Sequence, residues 1–218
     1  MSLVKNALST DQRILLATAR IIDKSGEASI RISDICKSLN ITAPSIYHFF
    51  GDREGLIEAT QAHRYSRGQQ EFVQSFASAT FACKGSKEFI ALLHRTIRLL
   101  FSADRIPARR ARTEVLGSAQ YRPGLAKKLA AAQEVINRSL AEPLRYAQAK
   151  GWINQEFDPV MFAAWVAGVA NSRRMIELAG EQTGSPEWDA IAARSICGLL
   201  GIPEPKRTSH KRSKRANS

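Results

Sequence analysis

Residues 30–51 read IRISDICKSLNITAPSIYHFFG, and this stretch decides how the chain begins to fold. Its apolar residues predict two short helices. Ile35 and Leu39 lie one turn apart on the first helix, and Ile46 and Phe50 lie one turn apart on the second. Short or polar residues occupy the other faces of the second helix, so that helix can pack on one side and meet a partner on the other.

The residues between the two helices predict a tight turn. Asn40 tolerates the left-handed conformation that ends a helix, and Ile41 is an apolar residue that fills the turn. Thr42 is a favourable N-cap, and Pro44 in the first turn of the next helix removes no hydrogen bond that the helix needs. Such a pair is a helix-turn-helix, whose second helix enters the major groove of DNA. The alternative is an ordinary two-helix corner of an all-α protein.

This stretch resembles the DNA-reading segment of the TetR (tetracycline-repressor) family of bacterial transcription regulators. The run SIYHFFGDREGLI, residues 45–57, is specific for that family. The matching residues are Gly26, Ile30, Ile35, Leu39, Ile41, Ser45, Ile46, Tyr47, Phe50, Arg53, Leu56 and Ile57. The resemblance implies a helix-turn-helix domain over residues 1–57 and a larger helical domain over residues 58–203 that binds a ligand and dimerises.

The residues at and beside the two short helices are candidates for contact with double-stranded DNA. They are Arg31, Ser33, Thr42, Ala43, Pro44, Ser45, Tyr47, His48 and Arg53. Tyr47 and His48 can donate hydrogen bonds to phosphates, and Arg53 matches a basic position that the family uses on the DNA backbone. Arg31 is either a guanine reader or a phosphate-bound or solvated side chain. Phe49 replaces a common His or Tyr, which removes one polar contact to phosphate.

The net charge of +12 is compatible with an anionic partner, but its distribution matters. Residues 1–60 are neutral overall, residues 61–150 carry a net charge of +10, and residues 151–203 carry −3. Residues 204–218 carry +5 and are predicted to be a disordered basic tail, with a nonspecific DNA-binding arm as the alternative. The prediction of DNA binding therefore depends on the motif and not on bulk charge.

The remaining pattern predicts an all-α fold of about nine helices, including a long fourth helix from about Arg53 into the 70s or low 80s. The last two helices carry small and apolar residues, and the resemblance implies that they pair with their copies in a homodimer. These residues are Ala163, Ala164, Ala167, Gly168, Ala170, Ile191, Ile196, Leu199 and Leu200. The alternative is that they pack within one subunit.

A small-molecule effector of unknown identity is expected to bind in the larger domain, but the sequence does not identify the ligand-binding residues. Aromatic candidates for an apolar pocket are Phe72, Phe76, Phe81, Phe89, Phe101, Trp152, Phe162 and Trp165. The arginine-rich residues 105–112 predict a solvated face that could turn towards DNA, with attraction of an anionic effector as the alternative.

Several function classes find no support in the sequence. Three widely spaced cysteines and four histidines predict neither a disulfide framework nor a metal site, and no cofactor motif is present. No signal peptide or membrane-spanning run is visible, so the expected location is the cytoplasm. The best hypothesis is a repressor, not an enzyme, released from a palindromic operator by its effector. The alternatives are an all-α enzyme and a DNA-binding protein without an effector.

Overall fold

The computed structural model describes residues 8–180 and 185–205, so most of the predicted basic tail lies outside the described residues. Within these ranges the chain forms ten α-helices and two single-turn 3₁₀ helices, and the predicted all-α class is confirmed. The α-helices are α1 Thr10–Ser25, α2 Ile32–Leu39, α3 Ala43–Phe50, α4 Arg53–Ser66, α5 Gln69–Phe81, α6 Ser86–Phe101, α7 Ile106–Ala119, α8 Pro123–Ala149, α9 Pro159–Leu178 and α10 Ser185–Leu200. The 3₁₀ helices are Glu27–Ser29 and Ala103–Arg105.

The first three helices and the start of α4 form a small bundle, here called the head, around a core of aliphatic side chains. That core consists of Ile14, Ile22, Ile30, Ile35, Ile46, Leu56 and Ile57. Asn40 ends α2 in the left-handed conformation (φ 53°), as predicted, and Ile41 packs on the core. The backbone N–H of Ser9 donates to Gln12 Oε1 (3.2 Å) in the capping box that begins α1. Local signals thus mark the start of α1 and the end of α2.

The predicted long fourth helix is wrong, because the chain divides it into α4 and α5. Arg67 leaves the helical conformation (ψ 133°), and Gly68 follows with φ 71°, where glycine is favoured. The carbonyl oxygen of Gly68 accepts from the N–H of Phe72 (3.4 Å) in the first turn of α5 and also from Arg105 Nη1 (3.3 Å). The break raises the helix count above the predicted nine.

The larger part of the chain, α5–α10, packs around a second apolar core and is here called the sensor region. α8 runs as one helix of 27 residues through Pro143. Asp158 caps α9 by accepting a hydrogen bond from the N–H of Met161 (2.8 Å). None of the described helices combines the length and the apolar character that crossing a membrane would require.

α4 belongs to both parts of the molecule. Leu56 and Ile57 in its first half are buried in the head, whereas Tyr65 in its last turns is buried against the sensor region. Tyr65 packs there with Val115, Leu125 and Leu129. The predicted domain boundary after residue 57 therefore falls inside a continuous helix, and the division into domains stays a prediction.

Ion pairs join the head to α8 on either side of α4. Arg122 Nη1 donates to Glu27 Oε2 (2.8 Å), and Arg122 Nε lies 3.4 Å from Glu54 Oε1. Lys128 Nζ donates to Glu58 Oε2 (2.8 Å). The hydrogen bond from Arg122 lowers the pKa of the Glu27 carboxyl, and the same bond raises the pKa of Arg122. These contacts hold α8 against the head by charge.

Candidate functional site: DNA interface and ligand cavity

α3 presents two different faces, as the sequence predicts. Ile46 is fully buried and Phe50 is half-buried against the head core. On the other side, Tyr47 is 44% exposed, Phe49 is 46% exposed, and His48 is exposed as well. The helix therefore has an open surface that carries a phenol and an imidazole, both of which can donate hydrogen bonds to phosphate.

Two arginines lie together beside the start of α2. Arg31 is the N-cap residue of α2, and its Nη1 donates to the carbonyl oxygens of Ala28 (3.1 Å) and Ile30 (3.4 Å). Arg53, at the start of α4, donates from Nη2 to the same Ile30 oxygen (3.5 Å). Both side chains are exposed, so the structure brings two predicted DNA-contacting cations to one edge of the head.

The remaining predicted DNA residues are also accessible, in whole or in part. Thr42 occupies the N-cap position of α3, but its Oγ1 contacts Ser45 Oγ (3.2 Å) and makes no bond to the backbone N–H groups. Thr42 and Pro44 are exposed, and Ala43 and Ser45 are half-buried. Ser33 is exposed and donates to the carboxylate of its neighbour Asp34 (3.3 Å). The negative charge of Asp34 disfavours the binding of a phosphate at the first turn of α2.

Gly55 is a residue that sequence reasoning missed. A Cβ atom at this position would lie 2.1 Å from the carbonyl oxygen of Phe50, the last residue of α3. Only glycine lets α4 approach the end of α3 this closely, and this approach sets the angle of the recognition helix. The signal was present in the sequence, because a glycine inside a helix costs stability and usually has a packing reason.

A narrow cavity of about 80 Å³ lies between α5, α6, α7, α8, α9 and α10 in the sensor region. Of the eight aromatic candidates, Phe72, Phe76 and Phe162 line it. The other five do not; for example, Phe81 stacks edge-on against Tyr146 (5.3 Å between ring centroids) at the surface. Most other lining residues are aliphatic, and the polar exceptions are Gln69, Thr96 and Arg112. The cavity is therefore apolar with a few polar groups, which is typical of small-molecule sites.

The predicted solvated face over residues 105–112 is wrong for two of its arginines. Arg109 and Arg112 are 4% and 2% exposed, whereas Arg110 is exposed. The cause is that α7 lies among α4, α8 and α9, so residues three apart on its inner face are enclosed. Arg109 Nε donates to Glu177 Oε1 (2.7 Å), which balances its charge inside the protein.

Arg112 is surrounded by neutral acceptors. Its Nη2 donates to the Tyr65 hydroxyl and to Gln133 Oε1 (both 2.9 Å), and its Nη1 donates to the Tyr65 carbonyl oxygen (3.2 Å). Its Nε donates to Asn171 Oδ1 (3.3 Å), and its guanidinium lies 4.0 Å from the centre of the Tyr65 ring. Burial lowers the pKa of the Arg112 guanidinium, because removing a cation from water is costly.

A compact head whose α3 leaves one face open, joined by one shared helix to a larger region with an internal cavity, suits a helix-turn-helix DNA-binding protein. Residues 14–60 match the family model described as bacterial regulatory proteins of the tetR family. Over these residues the chain is similar to the TetR family, as its sequence indicates.

Known relatives agree with this assignment. The chain is 26% identical over 155 residues to the transcriptional regulator UidR of Escherichia coli (strain K12), covering 71% of this chain and 74% of UidR. It is 35% identical over 51 residues to the regulator BetI of Burkholderia thailandensis, covering 23% of this chain and 26% of BetI. These proteins are transcription regulators, and this chain is a regulator and not an enzyme.

Solved structures share the fold. Salmonella enterica GusR superposes with a TM-score of 0.63 at 23% identity, covering 91% of this chain and 99% of GusR. The reduced form of E. coli NemR superposes with a TM-score of 0.61 at 12% identity, covering 89% of this chain and 100% of NemR. Both likenesses extend through the sensor region, well beyond the residues that match the family model.

Proposed function

We propose that this regulator is a cytoplasmic homodimeric repressor that binds a palindromic operator through α3 and is released when a small molecule enters the sensor cavity. The observation that best supports this proposal is the hydrogen bond from Arg112 Nη1 to the carbonyl oxygen of Tyr65 (3.2 Å). Arg112 lines the cavity, and Tyr65 lies on α4, whose other end forms part of the head. One helix therefore connects the cavity wall to the DNA-reading surface.

The proposed DNA contacts divide by chemistry. Tyr47, His48, Arg31 and Arg53 are exposed hydrogen-bond donors suited to phosphates, and Arg31 is also long enough to reach a guanine edge. The front of α3, including Pro44, offers small side chains to base edges. Because the head is neutral overall, its affinity depends on these placed donors and not on a broad basic surface.

The proposed dimer uses the outward faces of α9 and α10. These helices expose large apolar side chains that a monomer leaves in water: Met161, Trp165, Met175, Leu178, Ile191 and Leu199. By contrast, Ala163, Ala170, Ile196 and Leu200 from the predicted stripe are buried within the subunit. Some small and apolar residues of the last two helices therefore pack within the subunit, and the proposed dimer would use others. A dimer would place two α3 helices on successive major grooves, about 34–36 Å apart.

The release step is a shift between two states of the dimer. A ligand moves such an equilibrium only by its difference in affinity for the two states. A ligand that changes the Arg112–Tyr65 contact would favour one position of α4 over another, because Tyr65 is fixed to both Arg112 and Gln133. The spacing of the two heads would change with α4.

DNA selection tests the DNA-binding half of this proposal. The full chain is incubated with a random duplex pool, the retained DNA is sequenced, and the enriched site is footprinted. We expect one inverted repeat whose half-sites are about one helical turn apart. Uniform coating of DNA without an enriched site would instead support a DNA-binding protein without operator specificity. Retention of the free chain as a monomer in sedimentation would reject the dimer.

Effector release is tested with the selected duplex. Its dissociation constant is measured by fluorescence anisotropy in the presence of candidate compounds. A compound that occupies the cavity should raise that constant. A compound that binds in the cavity while the constant stays the same would reject the switch.

A further inference from the structure

We propose that the effector is an organic anion whose carboxylate pairs with Arg112 and whose apolar body fills the rest of the cavity. The role of this ligand as an effector depends on the proposed function. The cavity, its lining and the charge of Arg112 do not depend on it. The compound class follows from one buried cation in an otherwise apolar space.

Charge balance distinguishes Arg112 from the other buried arginines of the described chain. Arg109 donates to Glu177 (2.7 Å), and Arg173 Nε donates to Asp189 Oδ1 (2.6 Å). No described carboxylate lies within ion-pair distance of Arg112. Burying an unpaired cation costs several kcal/mol, so the protein retains a strongly unfavourable group on the wall of its cavity. An anion in the cavity would remove that cost.

Donor geometry leaves room for such a ligand. A guanidinium has five N–H groups, and the described acceptors of Arg112 use four of them. One Nη1 hydrogen stays available. The acceptors are also neutral, so a carboxylate that replaces one of them gives Arg112 an ion pair in place of a hydrogen bond to an uncharged group.

The rest of the lining selects an apolar body. Phe72, Phe76, Leu140 and Val166 belong to the wall, and the polar groups beside Arg112 are few. An inorganic phosphate would leave this apolar surface unfilled, and a polyhydroxylated compound would bury more hydroxyl groups than Gln69 and Thr96 can satisfy. A carboxylic acid with an alkyl or aryl chain matches both the charge and the lining, and the cavity of about 80 Å³ must widen to admit it.

Matched pairs of probes test the inference. We use 3-phenylpropionate and octanoate with their neutral amides, and measure binding to the full chain by isothermal titration calorimetry at pH 7. We expect each carboxylate to bind about tenfold or more tightly than its amide, because only the carboxylate balances the buried positive charge of Arg112. Preference for the amide, equal binding of acid and amide, or no binding by any of the four probes would overturn the inference.

Variants separate a ligand-binding role from a structural one. Arg112→Gln should abolish the preference for the carboxylate, whereas Arg112→Lys should retain a weaker preference, because it keeps the charge and loses the planar fork. Arg110→Gln, on the exposed face of the same helix, should behave like the wild type. A carboxylate preference that survives Arg112→Gln would overturn the inference. If that variant does not fold, an undiminished preference in Arg112→Lys would overturn it instead.

The selected duplex distinguishes failure of this inference from failure of the proposed function. If a neutral compound releases the DNA and the carboxylates do not bind, the anionic class is wrong and effector release stands. If the carboxylates bind through Arg112 while DNA affinity is unchanged, the cavity chemistry stands and effector release is rejected.

Discussion

The head and the sensor region are stabilised in different ways. The head is built around isoleucine and leucine, and its described charged side chains lie outside that core. The sensor region buries three arginines, Arg109, Arg112 and Arg173. An aliphatic core depends little on conditions, whereas buried charges depend on which groups lie beside them. The comparison predicts that changes of charge affect the stability of the sensor region more than that of the head.

Breaking a buried ion pair should have the largest effect, and it falls in the sensor region. Arg109→Gln leaves Glu177 buried with reduced compensation, and we expect the free energy of unfolding to fall by about 3 kcal/mol. Arg174 Nη1 lies 3.5 Å from Glu177 and limits the loss. Urea denaturation measures the change, with Arg110→Gln as the exposed control, expected within about 0.5 kcal/mol of the wild type. Equal stability of the two variants would contradict the expected difference between a buried and an exposed arginine.

Gly55→Ala tests the head by overpacking. The added methyl group meets the Phe50 carbonyl oxygen, so we expect a loss of about 1–3 kcal/mol in unfolding free energy together with weaker DNA binding. Gly117→Ala is the matched control, since nothing lies within 4 Å of its new Cβ in α7. That control should equal or exceed the wild type in stability. A Gly55→Ala protein that binds DNA normally would show that the α3–α4 approach does not set the recognition helix.

Tyr47→Phe removes one hydroxyl from the open face of α3 and tests function without stability. Because Tyr47 is 44% exposed, unfolding free energy should change little, while DNA affinity should fall by about 0.5–1.5 kcal/mol for a lost phosphate contact. Tyr121→Phe serves as the control, since that ring is 86% exposed and lies before α8. Anisotropy with the selected duplex measures both. Equal losses in the two variants would remove Tyr47 from the interface.

Acid should weaken the junction between the two regions by the smallest amount. The Glu27 carboxyl has a lowered pKa when folded, so its contribution is fully present above the ordinary glutamate pKa, about 4.3, and is lost as the pH falls through the folded value. Glu27→Gln should therefore flatten the dependence of stability on pH in this acidic window. Glu134→Gln, which removes an exposed pair within α8, should leave the dependence nearly unchanged. An unchanged slope for Glu27→Gln would contradict the role of this pair.

The sequence predicts the head far better than the sensor region. The reason is that the features of the head depend on residues close together in the sequence, whereas those of the sensor region depend on distant ones. The end of α2 at Asn40 and the burial of Ile46 follow from residues a few positions apart. The burial of Arg112 depends on Tyr65, Gln133 and Asn171, which lie 21 to 59 residues away. A run of arginines has the same local pattern whether it faces water or a cavity.

The break at Gly68 has a mechanical consequence for α4. Because α5 is a separate helix, a tilt of α4 need not carry α5 with it, and α4 packs instead against α7 and α8. Its 14 residues span about 21 Å, so a rotation of about 10° would carry the opposite tip through about 3–4 Å. That travel is a sizeable fraction of the width of a DNA groove, and two such arms swinging symmetrically would double it. Movements of a fraction of an ångström around one guanidinium could in this way become a misfit between protein and duplex.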